Sequence, residues 1–522
     1  MLIQDFLERS AQLNPDKIAL VCNGQSWTFG ALEAAANRLA HGLIKHGVER
    51  WDHVAICLDN SPEAVICIFA VAKVGGAFLP LGPSIRPKKL AFVMDHSRAT
   101  ALIIDASKFD SLHQDCRFNC HPRVIFTAGG NLDASTDEGV RFVPLRIVIE
   151  QKDVPQGPPQ NGAIDIDPAA LIYTSGSTGN PKGVVLTHLN IVSATTSIVH
   201  YLKNTSNDVI LNVLPLCHSY ALTQLMTAFH VGATLVLEGS FHSPYKIVKT
   251  ITQTKVTGFA LVPTIASSLV ELDLRDYDFS SLRYMTNAAA ALPTPIIRKL
   301  RAMLPHVDLF SMYGLTECIR ASYLPPDQVD IRPTSIGRGM PNQEVYIVDE
   351  VGQRLGPGAA GELIVRGSNV MSGYWAQADE TRKSLKPGPI TGEKVLHTGD
   401  LFRMDDQGYL YFVGRKDDMI KTCGEKVSPR EIEEVICSLE AVAEAAVLGV
   451  PDEILGQAIK AIIRLKDGAQ LAKGDVVRHC AQQLEDFKVP TLVEFCDSFP
   501  MSPGGKIMKR ELISPNEEKQ QD

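Results

Sequence analysis

The sequence predicts an α/β protein with a large N-terminal body and a small α+β C-terminal domain. In the first half of the chain, apolar segments of strand length alternate with segments of helix length, which is typical of parallel α/β units. After about Pro341 the pattern changes to alternating strands separated by turn-rich segments. From Pro429 onwards a shorter mixture of helices and strands follows.

Each element of the body follows from its apolar pattern. Residues 29–32 predict a strand and turn, and the Ala/Leu-rich segment 33–46 predicts an amphipathic helix. A buried strand, a helix and another strand are expected next, and three more strands recur further along at helical separations. These segments are 54–58, 62–74 and 77–81, followed by 209–214, 233–237 and 258–262.

The later part of the chain predicts antiparallel structure. Strands at 344–347 and 362–365 flank the turn-rich segment 349–361, and another strand at 409–413 follows Gly408, so we expect hairpins that form a β-barrel-like region. The C-terminal pattern predicts a helix beginning at 430–434, strands at 444–449 and 458–465, and a helix at 473–484. The expected domains are residues 1–416 and residues 417–522.

Composition excludes several classes of protein. The chain has 522 residues, 45% hydrophobic and 21% charged, with a formal net charge of -8, so neither a nucleic-acid footprint nor a basic membrane patch is indicated. The apolar run 64–72 is far shorter than the roughly 20 residues that span a bilayer, and the start lacks a basic signal region. Eleven scattered cysteines make no disulfide framework, which predicts a cytoplasmic protein without a membrane span.

The most informative motif lies at residues 171–184. An apolar strand runs into small, hydroxylated or amide residues and then Pro-Lys-Gly, so backbone N–H groups and hydroxyls can surround phosphate oxygens while Lys182 adds positive charge. The spacing is not that of a P-loop, and such clusters are also common in plain surface loops. The candidate phosphate-binding residues are Thr174, Ser175, Gly176, Ser177, Thr178, Gly179 and Lys182.

The whole string resembles the signature of the adenylate-forming (ANL) superfamily, which includes acyl-CoA synthetases, adenylation domains of peptide synthetases, and luciferases. Further segments resemble later blocks of this family in the family's order, although 287–292 has Asn and Ala where Ser, Gly and Pro are frequent. These segments are 287–292, 312–317, 361–375, 397–400, 408–418 and 502–507.

The resemblance implies a nucleotide site. It places Ala289 at the adenine and acyl sites, stacks the ring of Tyr313 on adenine, directs the Thr316 hydroxyl to the α-phosphate and makes Glu317 the Mg²⁺ ligand. An aromatic face suits a nucleobase and a hard carboxylate suits Mg²⁺. It also implies three further roles: ribose binding by Asp400, nucleotide binding by Arg415, and entry into the active site during adenylation by Lys506.

The resemblance also implies a mobile C-terminal domain. Asp417 stands at the hinge position, about which the domain rotates between the two half-reactions. The loop that faces the active site in the thioester-forming step contains Lys421, Gly424 and Lys426.

The segment 215–222 resembles the family's acyl pocket and places His218 near the substrate carboxylate. His218, Lys506, Thr316 and Glu317 are the catalytic candidates. Amino-acid-activating relatives usually carry an Asp in this segment, and burying a substrate ammonium without a partner is unfavourable. The segment therefore favours a fatty, aryl or other organic acid without an α-amino group. The expected pocket residues are His218, Tyr220, Ala288, Ala290 and Gly314.

The predicted function is an AMP-forming ligase of fatty-acid or secondary metabolism. With Mg²⁺ and ATP it would convert an acid to an acyl-adenylate, release pyrophosphate and pass the acyl group to the thiol of coenzyme A. Transfer to the phosphopantetheine of a separate carrier protein is the alternative, and a non-catalytic nucleotide-binding protein or a luciferase-type oxidation are rivals. The G-x-G-x-x-G match at 356–361 leads into a strand, so it predicts a hairpin turn and not a dinucleotide site.

Overall fold

A computed structural model describes most of the chain. The described residues are 1–113, 122–129, 135–137, 140–151, 153, 155, 157–174, 181–239, 241, 243–422, 425–452, 455–501 and 507–512. The chain forms two compact units. The larger unit holds residues 1–345 and 365–396, and the smaller holds residues 346–364 and 397–522.

The elements of the first part of the chain alternate between strands and helices, as the apolar pattern predicts. In chain order they are α1 (Gln4–Leu13), β1 (Ile18–Cys22), β2 (Gln25–Thr28), α2 (Phe29–Lys45), β3 (His53–Cys57), α3 (Pro62–Val74), β4 (Ala77–Pro80), α4 (Pro87–Ser97), β5 (Ala101–Asp105), α5 (Ala106–His113), β6 (Val124–Ala128), β7 (Ser135–Asp137), β8 (Val140–Pro144), α6 (Leu145–Glu150), β9 (Pro168–Thr174), β10 (Lys182–Thr187), α7 (His188–Leu202), β11 (Val209–Asn212), α8 (Ser219–Val231), β12 (Thr234–Leu237), α9 (Pro244–Gln253), β13 (Gly258–Leu261), α10 (Pro263–Leu269), β14 (Tyr284–Asn287), α11 (Thr294–Met303), β15 (Asp308–Tyr313), β16 (Ser322–Leu324) and β17 (Ser335–Gly339).

The second part is richer in strands, also as predicted. It contains β18 (Gln343–Val348), β19 (Ala360–Gly367), β20 (Gly373–Tyr374), α12 (Ala378–Ser384), β21 (Leu385–Pro387), β22 (Lys394–Met404), β23 (Leu410–Arg415), β24 (Ile420–Thr422), β25 (Glu425–Val427), α13 (Pro429–Cys437), β26 (Val442–Asp452), β27 (Gly456–Leu465), α14 (Lys473–Gln483) and β28 (Leu492–Phe495).

Two largely parallel sheets form the framework of the larger unit. Within this unit the first sheet has the strand order β17-β16-β15-β14-β13-β11-β12-β1-β2. Its strands are parallel from β15 to β1 and antiparallel at both ends. The second sheet has the order β20-β10-β9-β4-β3-β5-β6-β8-β7 and is parallel from β9 to β8.

Helix α3 shows how the core of this unit is built. Nearly all its side chains are buried, so a largely apolar sequence forms a helix with almost no solvent face. Pro62 occupies its first turn, and the Ser61 hydroxyl accepts a hydrogen bond from the N–H of Ala64, which satisfies one helix-terminal donor. Gly75 ends the helix at φ 82°, a left-handed conformation that glycine adopts without strain.

The smaller unit contains an α+β C-terminal part. Strands β24, β25, β26 and β27 form a sheet of order β25-β24-β27-β26, and β28 pairs with β27. Helices α13 and α14 bury Ile432, Ile436 and Val476 in the same core as the sheet residues Ile459 and Ile463. The helices and strands that form this core correspond to the predicted C-terminal elements. The domain boundary at 416/417 stays a prediction.

One predicted element is placed differently by the structure. Residues 29–32 were expected to form a strand and turn, but helix α2 already begins at Phe29 and strand β2 precedes it. The Thr28 hydroxyl accepts a hydrogen bond of 3.1 Å from the N–H of Ala31, so Thr28 caps the helix four residues earlier than the Ala/Leu pattern alone suggests.

The glycine-rich match at 356–361 lies in a turn and not between a strand and a helix. Gly358 has φ 86°, and strand β19 begins at Ala360. The motif therefore lacks the helix whose N-terminus binds a dinucleotide. Within the described residues, no helix is long and apolar enough to cross a membrane.

Candidate active site

Several predicted site residues follow parallel strands of the first sheet. Strands β11, β13, β14 and β15 are parallel neighbours, so their carboxyl ends lie at one edge of the sheet. Residues 288–290 follow β14, residues 314–317 follow β15, and His218 lies between β11 and α8. Crevices outside the carboxyl ends of such strands are the usual ligand sites of α/β sheets.

Tyr220 and the alanine segment form one wall of this candidate site. The Tyr220 hydroxyl donates a 2.8 Å hydrogen bond to the carbonyl of Thr286 in β14, which fixes the ring against the sheet. The Asn287 side-chain amide donates to the carbonyl of Ala290 at 3.0 Å, so the chain after β14 turns sharply. Ala289 in this turn has φ 72°, a conformation that glycine adopts more readily. Ala288 is buried, whereas Ala289 and Ala290 are exposed.

Gly314 allows a close approach of two backbone segments. A Cβ atom at this position would lie 2.7 Å from the carbonyl oxygen of Ile319 and 2.9 Å from the Cα of Arg320. Any larger residue would therefore displace the backbone. The residues from Tyr313 to Glu317 are all half-buried, whereas the strand residues just before them are buried. The segment can therefore be reached from solvent.

Glu317 is held by Tyr374, a residue to which the sequence assigned no role. The Tyr374 hydroxyl donates a 2.8 Å hydrogen bond to Glu317 Oε1, and the Glu317 carbonyl accepts from the N–H of Met371 at 2.8 Å. Burial and the charge of Glu317 raise the pKa of Tyr374, so the hydroxyl remains a donor. The sequence marked Tyr374 only as part of the Gly373-Tyr374-Trp375 block. No sequence pattern indicates that it contacts Glu317.

The phosphate-loop lysine lies on the other side of Tyr374. Lys182 is the register partner of Thr174 across β9 and β10, so these two residues close the base of the loop between them. The Lys182 ammonium lies 5.3 Å from the centroid of the Tyr374 ring and forms an ion pair with Glu380. Hydrogen bonds from Lys182 and Lys383 lower the pKa of Glu380. Tyr374 therefore connects Lys182 to Glu317.

His218 and Cys217 have ionisation states set by burial. His218 is the N-cap residue of α8, and burial together with the positive charge of Lys89 lowers the pKa of its imidazole. His218 is therefore neutral near pH 7. Burial raises the pKa of the Cys217 thiol to about 12, so this thiol is not a nucleophile at neutral pH.

Asp400 and Arg415 form an ion pair in the smaller unit. They are register partners on β22 and β23, and Arg415 Nε lies 3.0 Å from Asp400 Oδ1. The Asp400 side chain is 6% exposed whereas that of Arg415 is 54% exposed, so the carboxylate is held firmly and the guanidinium is accessible. The Asp400 N–H donates to the Thr398 hydroxyl at 3.2 Å.

Glu362 stabilises the segment that leads to Asp400. The sequence did not predict its contacts there. Its Oε1 accepts from the N–H of Gly399 at 3.1 Å, and its Oε2 lies 3.3 Å from His397 Nδ1 and 3.4 Å from Lys416 Nζ. Burial opposes ionisation of Glu362, but these hydrogen bonds and charges outweigh it and lower its pKa to about 2.

For the remaining predicted residues the structure describes only the backbone or nothing at all. Lys421 and Lys426 are register partners on β24 and β25, but their side chains, like that of Asp417, are not among the described atoms. Outside the described residues altogether lie Ser175, Gly176, Ser177, Thr178, Gly179, Gly424 and Lys506.

The described groups define a class of protein. A lysine and a half-buried carboxylate on either side of Tyr374, together with residues at the carboxyl edge of a parallel sheet, suit an enzyme that binds a phosphate-bearing ligand. The chain belongs to the AMP-binding enzymes: the family model for that enzyme matches residues 7–375, and the model for its C-terminal domain matches residues 431–506.

Relatives of known name cover almost the whole chain. A long-chain-fatty-acid–CoA ligase of Escherichia coli O157:H7 is 32% identical over 97% of this chain and 93% of its own length. A long-chain-fatty-acid–CoA ligase of Bacillus subtilis strain 168 is 30% identical over 99% of this chain and 95% of its own length.

A solved structure extends this likeness to the fold. The o-succinylbenzoate CoA synthetase (MenE) of Bacillus subtilis, in complex with its acyl-adenylate intermediate, superposes with a TM-score of 0.84 at 28% identity and 98% coverage of both chains. These matches confirm the predicted superfamily, the predicted α/β fold class and the prediction that the chain is an enzyme, an AMP-forming acid–thiol ligase.

Proposed function

We propose that the chain activates a carboxylic acid with ATP and Mg²⁺ and transfers the acyl group to coenzyme A. The observation that carries this proposal is the contact series from Lys182 through Tyr374 to Glu317, which brings a cation close to the carboxylate that we propose as the metal ligand. The complexes of MenE with its acyl-adenylate and with ATP and a magnesium ion support the same chemistry here.

Glu317 fits a magnesium ion. Mg²⁺ in nucleotide enzymes is usually held by one or two carboxylates, several waters and substrate phosphates. The described residues contain no cluster of three or more acidic, His or Cys side chains that could form an all-protein metal cage, and a single carboxylate is compatible with this mode. When bound, the ion would neutralise charge on the phosphates.

Adenylation requires two anions to approach each other. A carboxylate oxygen of the acid attacks the α-phosphorus of ATP, a new O–P bond forms, and the bond to pyrophosphate breaks. A cation at about 4 Å from such a charge contributes about 1 kcal/mol in water and about 4 kcal/mol in a partly desolvated site. In our proposal Lys182 exchanges Glu380 for the phosphates, and Lys506 supplies the second cation in this step.

The nucleotide contacts are divided between Thr316, Tyr313, Ala289, Asp400 and Arg415. Asp400 accepts hydrogen bonds from the ribose hydroxyls, which suits a buried carboxylate that has acceptors only. Its pairing with Arg415 holds it in one orientation. Tyr313, half-buried at the end of β15, offers its ring to adenine.

In the second step the acyl-adenylate meets a thiol. The thiol loses its proton and its sulfur attacks the acyl carbonyl. The thioester C–S bond forms, and AMP leaves with the electron pair of the broken C–O bond. We propose that the domain of residues 417–522 rotates about Asp417 to present the loop of Lys421, Gly424 and Lys426. In our proposal His218 lies near the substrate carboxylate, and its lowered pKa keeps the imidazole neutral there.

The acid has no α-amino group in this proposal, because Cys217, His218 and Ser219 supply no carboxylate to pair with an ammonium. The names of the relatives favour coenzyme A as the acceptor. Phosphopantetheine on a separate carrier protein remains the second candidate because it carries the same thiol. A cytoplasmic location stays a prediction.

The test is release of AMP and pyrophosphate across fatty, aryl, dicarboxylic and amino acids, with coenzyme A, with a holo carrier protein, and with neither. We expect thioester and AMP with one class of organic acid and coenzyme A. If thioester forms only with the carrier protein, the acceptor is that protein and not coenzyme A. No pyrophosphate with any acid, despite ATP binding, would contradict the proposed function.

A further inference from the structure

Arg320 is a buried charge without an acidic partner. It lies between β15 and β16, three residues after Glu317, and only 2% of it is exposed. Its guanidinium carbon lies 5.0 Å from the centroid of the Tyr220 ring, and the Tyr201 hydroxyl lies nearby. Within the described part of the chain, no carboxylate forms an ion pair with it, and its Nε has no hydrogen-bond partner.

The position of Arg320 is at the acyl side of the site. Its Cα is so close to Gly314 that a Cβ on the glycine would lie 2.9 Å away. The guanidinium of Arg320 lies over the ring of Tyr220, and the hydroxyl of that ring donates a hydrogen bond to Thr286. Both Gly314 and Tyr220 are predicted to line the acyl pocket. The backbone of Arg320 lies next to Gly314, and its guanidinium lies over the ring of Tyr220.

A buried arginine in this state is unfavourable for the free protein. Removing a guanidinium from water is costly unless ion pairing and hydrogen bonds replace its hydration. Attraction to an aromatic face and one tyrosine hydroxyl replace only part of it. An apolar side chain would fill the same space without this cost, so the charge is explained best by a ligand that completes its hydrogen bonds.

We propose that Arg320 binds a second carboxylate of the substrate, so that the acid activated by this enzyme is a dicarboxylic acid. The planar guanidinium matches a carboxylate with two parallel hydrogen bonds, a geometry that lysine does not offer. This inference rests on the proposed function, because it concerns the acid pocket of that reaction. The activated carboxylate lies towards Thr316 and Glu317, and the second carboxylate lies towards Arg320.

The test compares each dicarboxylic acid of a graded-length series with its monomethyl ester and with the unsubstituted monocarboxylic acid of equal length. Pyrophosphate release is measured for the wild type, for Arg320→Met and for Arg338→Met. Arg338 is an exposed arginine on the neighbouring strand β17 and serves as the matched control.

The wild type should have a kcat/KM for the best diacid at least about 30-fold higher than for its monoester. This factor corresponds to the lower end of the free energy lost when one partner of a buried charge pair is removed. Arg320→Met should abolish this preference mainly through the KM for the acid, with the KM for ATP unchanged. Arg338→Met should keep it. A wild type that favours monocarboxylic acids or monoesters, or a variant that keeps the diacid preference, would overturn the inference.

Thermal unfolding gives a readout that does not depend on turnover. Without ligand, Arg320→Met should unfold at the wild-type temperature or above it, because an unpaired buried charge is gone. The diacid should raise the Tm of the wild type and of Arg338→Met but not that of Arg320→Met. An equal rise in all three proteins would contradict the role of Arg320.

The two proposals fail in different ways. If the diacid stabilises the wild type through Arg320 but no pyrophosphate appears, the arginine site stands and the proposed function is wrong. If monocarboxylic acids alone are activated and Arg320→Met changes nothing, the function stands and the diacid inference is wrong. If no acid reacts or stabilises the protein, both are wrong.

Discussion

Replacing Tyr374 by phenylalanine removes one hydroxyl and leaves the ring beside Lys182 in place. The lost group is the donor of the 2.8 Å hydrogen bond to Glu317 Oε1. A hydrogen bond to a charged group contributes about 1.5–3 kcal/mol, and both side chains here are half-buried, so water recovers part of it. We therefore expect a net loss of about 1.4 kcal/mol, the lower end for residues that orient metal ligands.

This loss corresponds to a roughly tenfold increase in the Mg²⁺ concentration that gives half-maximal pyrophosphate release. The assay is a Mg²⁺ titration at constant total ATP, with free and ATP-bound metal calculated separately. The KM for the acid should not change, because Tyr374 is not among the residues expected to line the acyl pocket.

Tyr411→Phe is the matched control. The Tyr411 hydroxyl donates to Asp405 Oδ2 at 3.1 Å, which is the same kind of tyrosine–carboxylate contact away from the predicted metal ligand. Its Mg²⁺ dependence should equal that of the wild type. An unaltered Mg²⁺ dependence in Tyr374→Phe, or an equal shift in both variants, would refute the assignment of Glu317 as the metal ligand held by Tyr374.

Three further predictions address other parts of the site. Lys506→Ala should collapse adenylation while thioester formation from supplied acyl-AMP stays largely intact; comparable damage to both rates, measured separately, would refute its role. Asp417→Pro should impair thioester formation more than adenylation, and equal loss of both with unchanged Tm would count against the hinge. Glu362→Gln should lower the Tm at neutral pH, because a pKa depressed to about 2 gives stability that is present above the ordinary pKa of 4.5. That difference from the wild type should shrink as the pH falls from about 4.5 towards 2, and a pH-independent difference would contradict the ionic role of Glu362.

The apolar pattern predicted most of the elements because burial decides them locally. Helix α3 at Pro62–Val74 agrees with its prediction at both ends, since Ser61, Pro62 and Gly75 supply standard start and stop signals. The beginning of α2 was wrong because Thr28 caps the helix before the Ala/Leu run starts. A single cap hydrogen bond decided that boundary.

The contacts between site residues could not be predicted in the same way. Glu317 and Tyr374 are separated by 57 positions, and Lys182 and Glu380 by 198, so the fold alone brings them together. Motif resemblance gave Glu317 and Lys182 roles but named neither partner. Arg320 carries no signal in the sequence, because a lone arginine after a motif is usually exposed, and its burial is visible only in the structure.

The central claim is that the acid attacks the α-phosphorus of ATP. An acid labelled with ¹⁸O in both oxygens of its reacting carboxylate tests this directly, with mass analysis of the AMP and pyrophosphate formed in the presence of coenzyme A. The account predicts one ¹⁸O atom in each AMP and none in pyrophosphate, because the carboxylate oxygen that forms the O–P bond leaves with AMP. Unlabelled AMP, or label in inorganic phosphate or pyrophosphate, would contradict it.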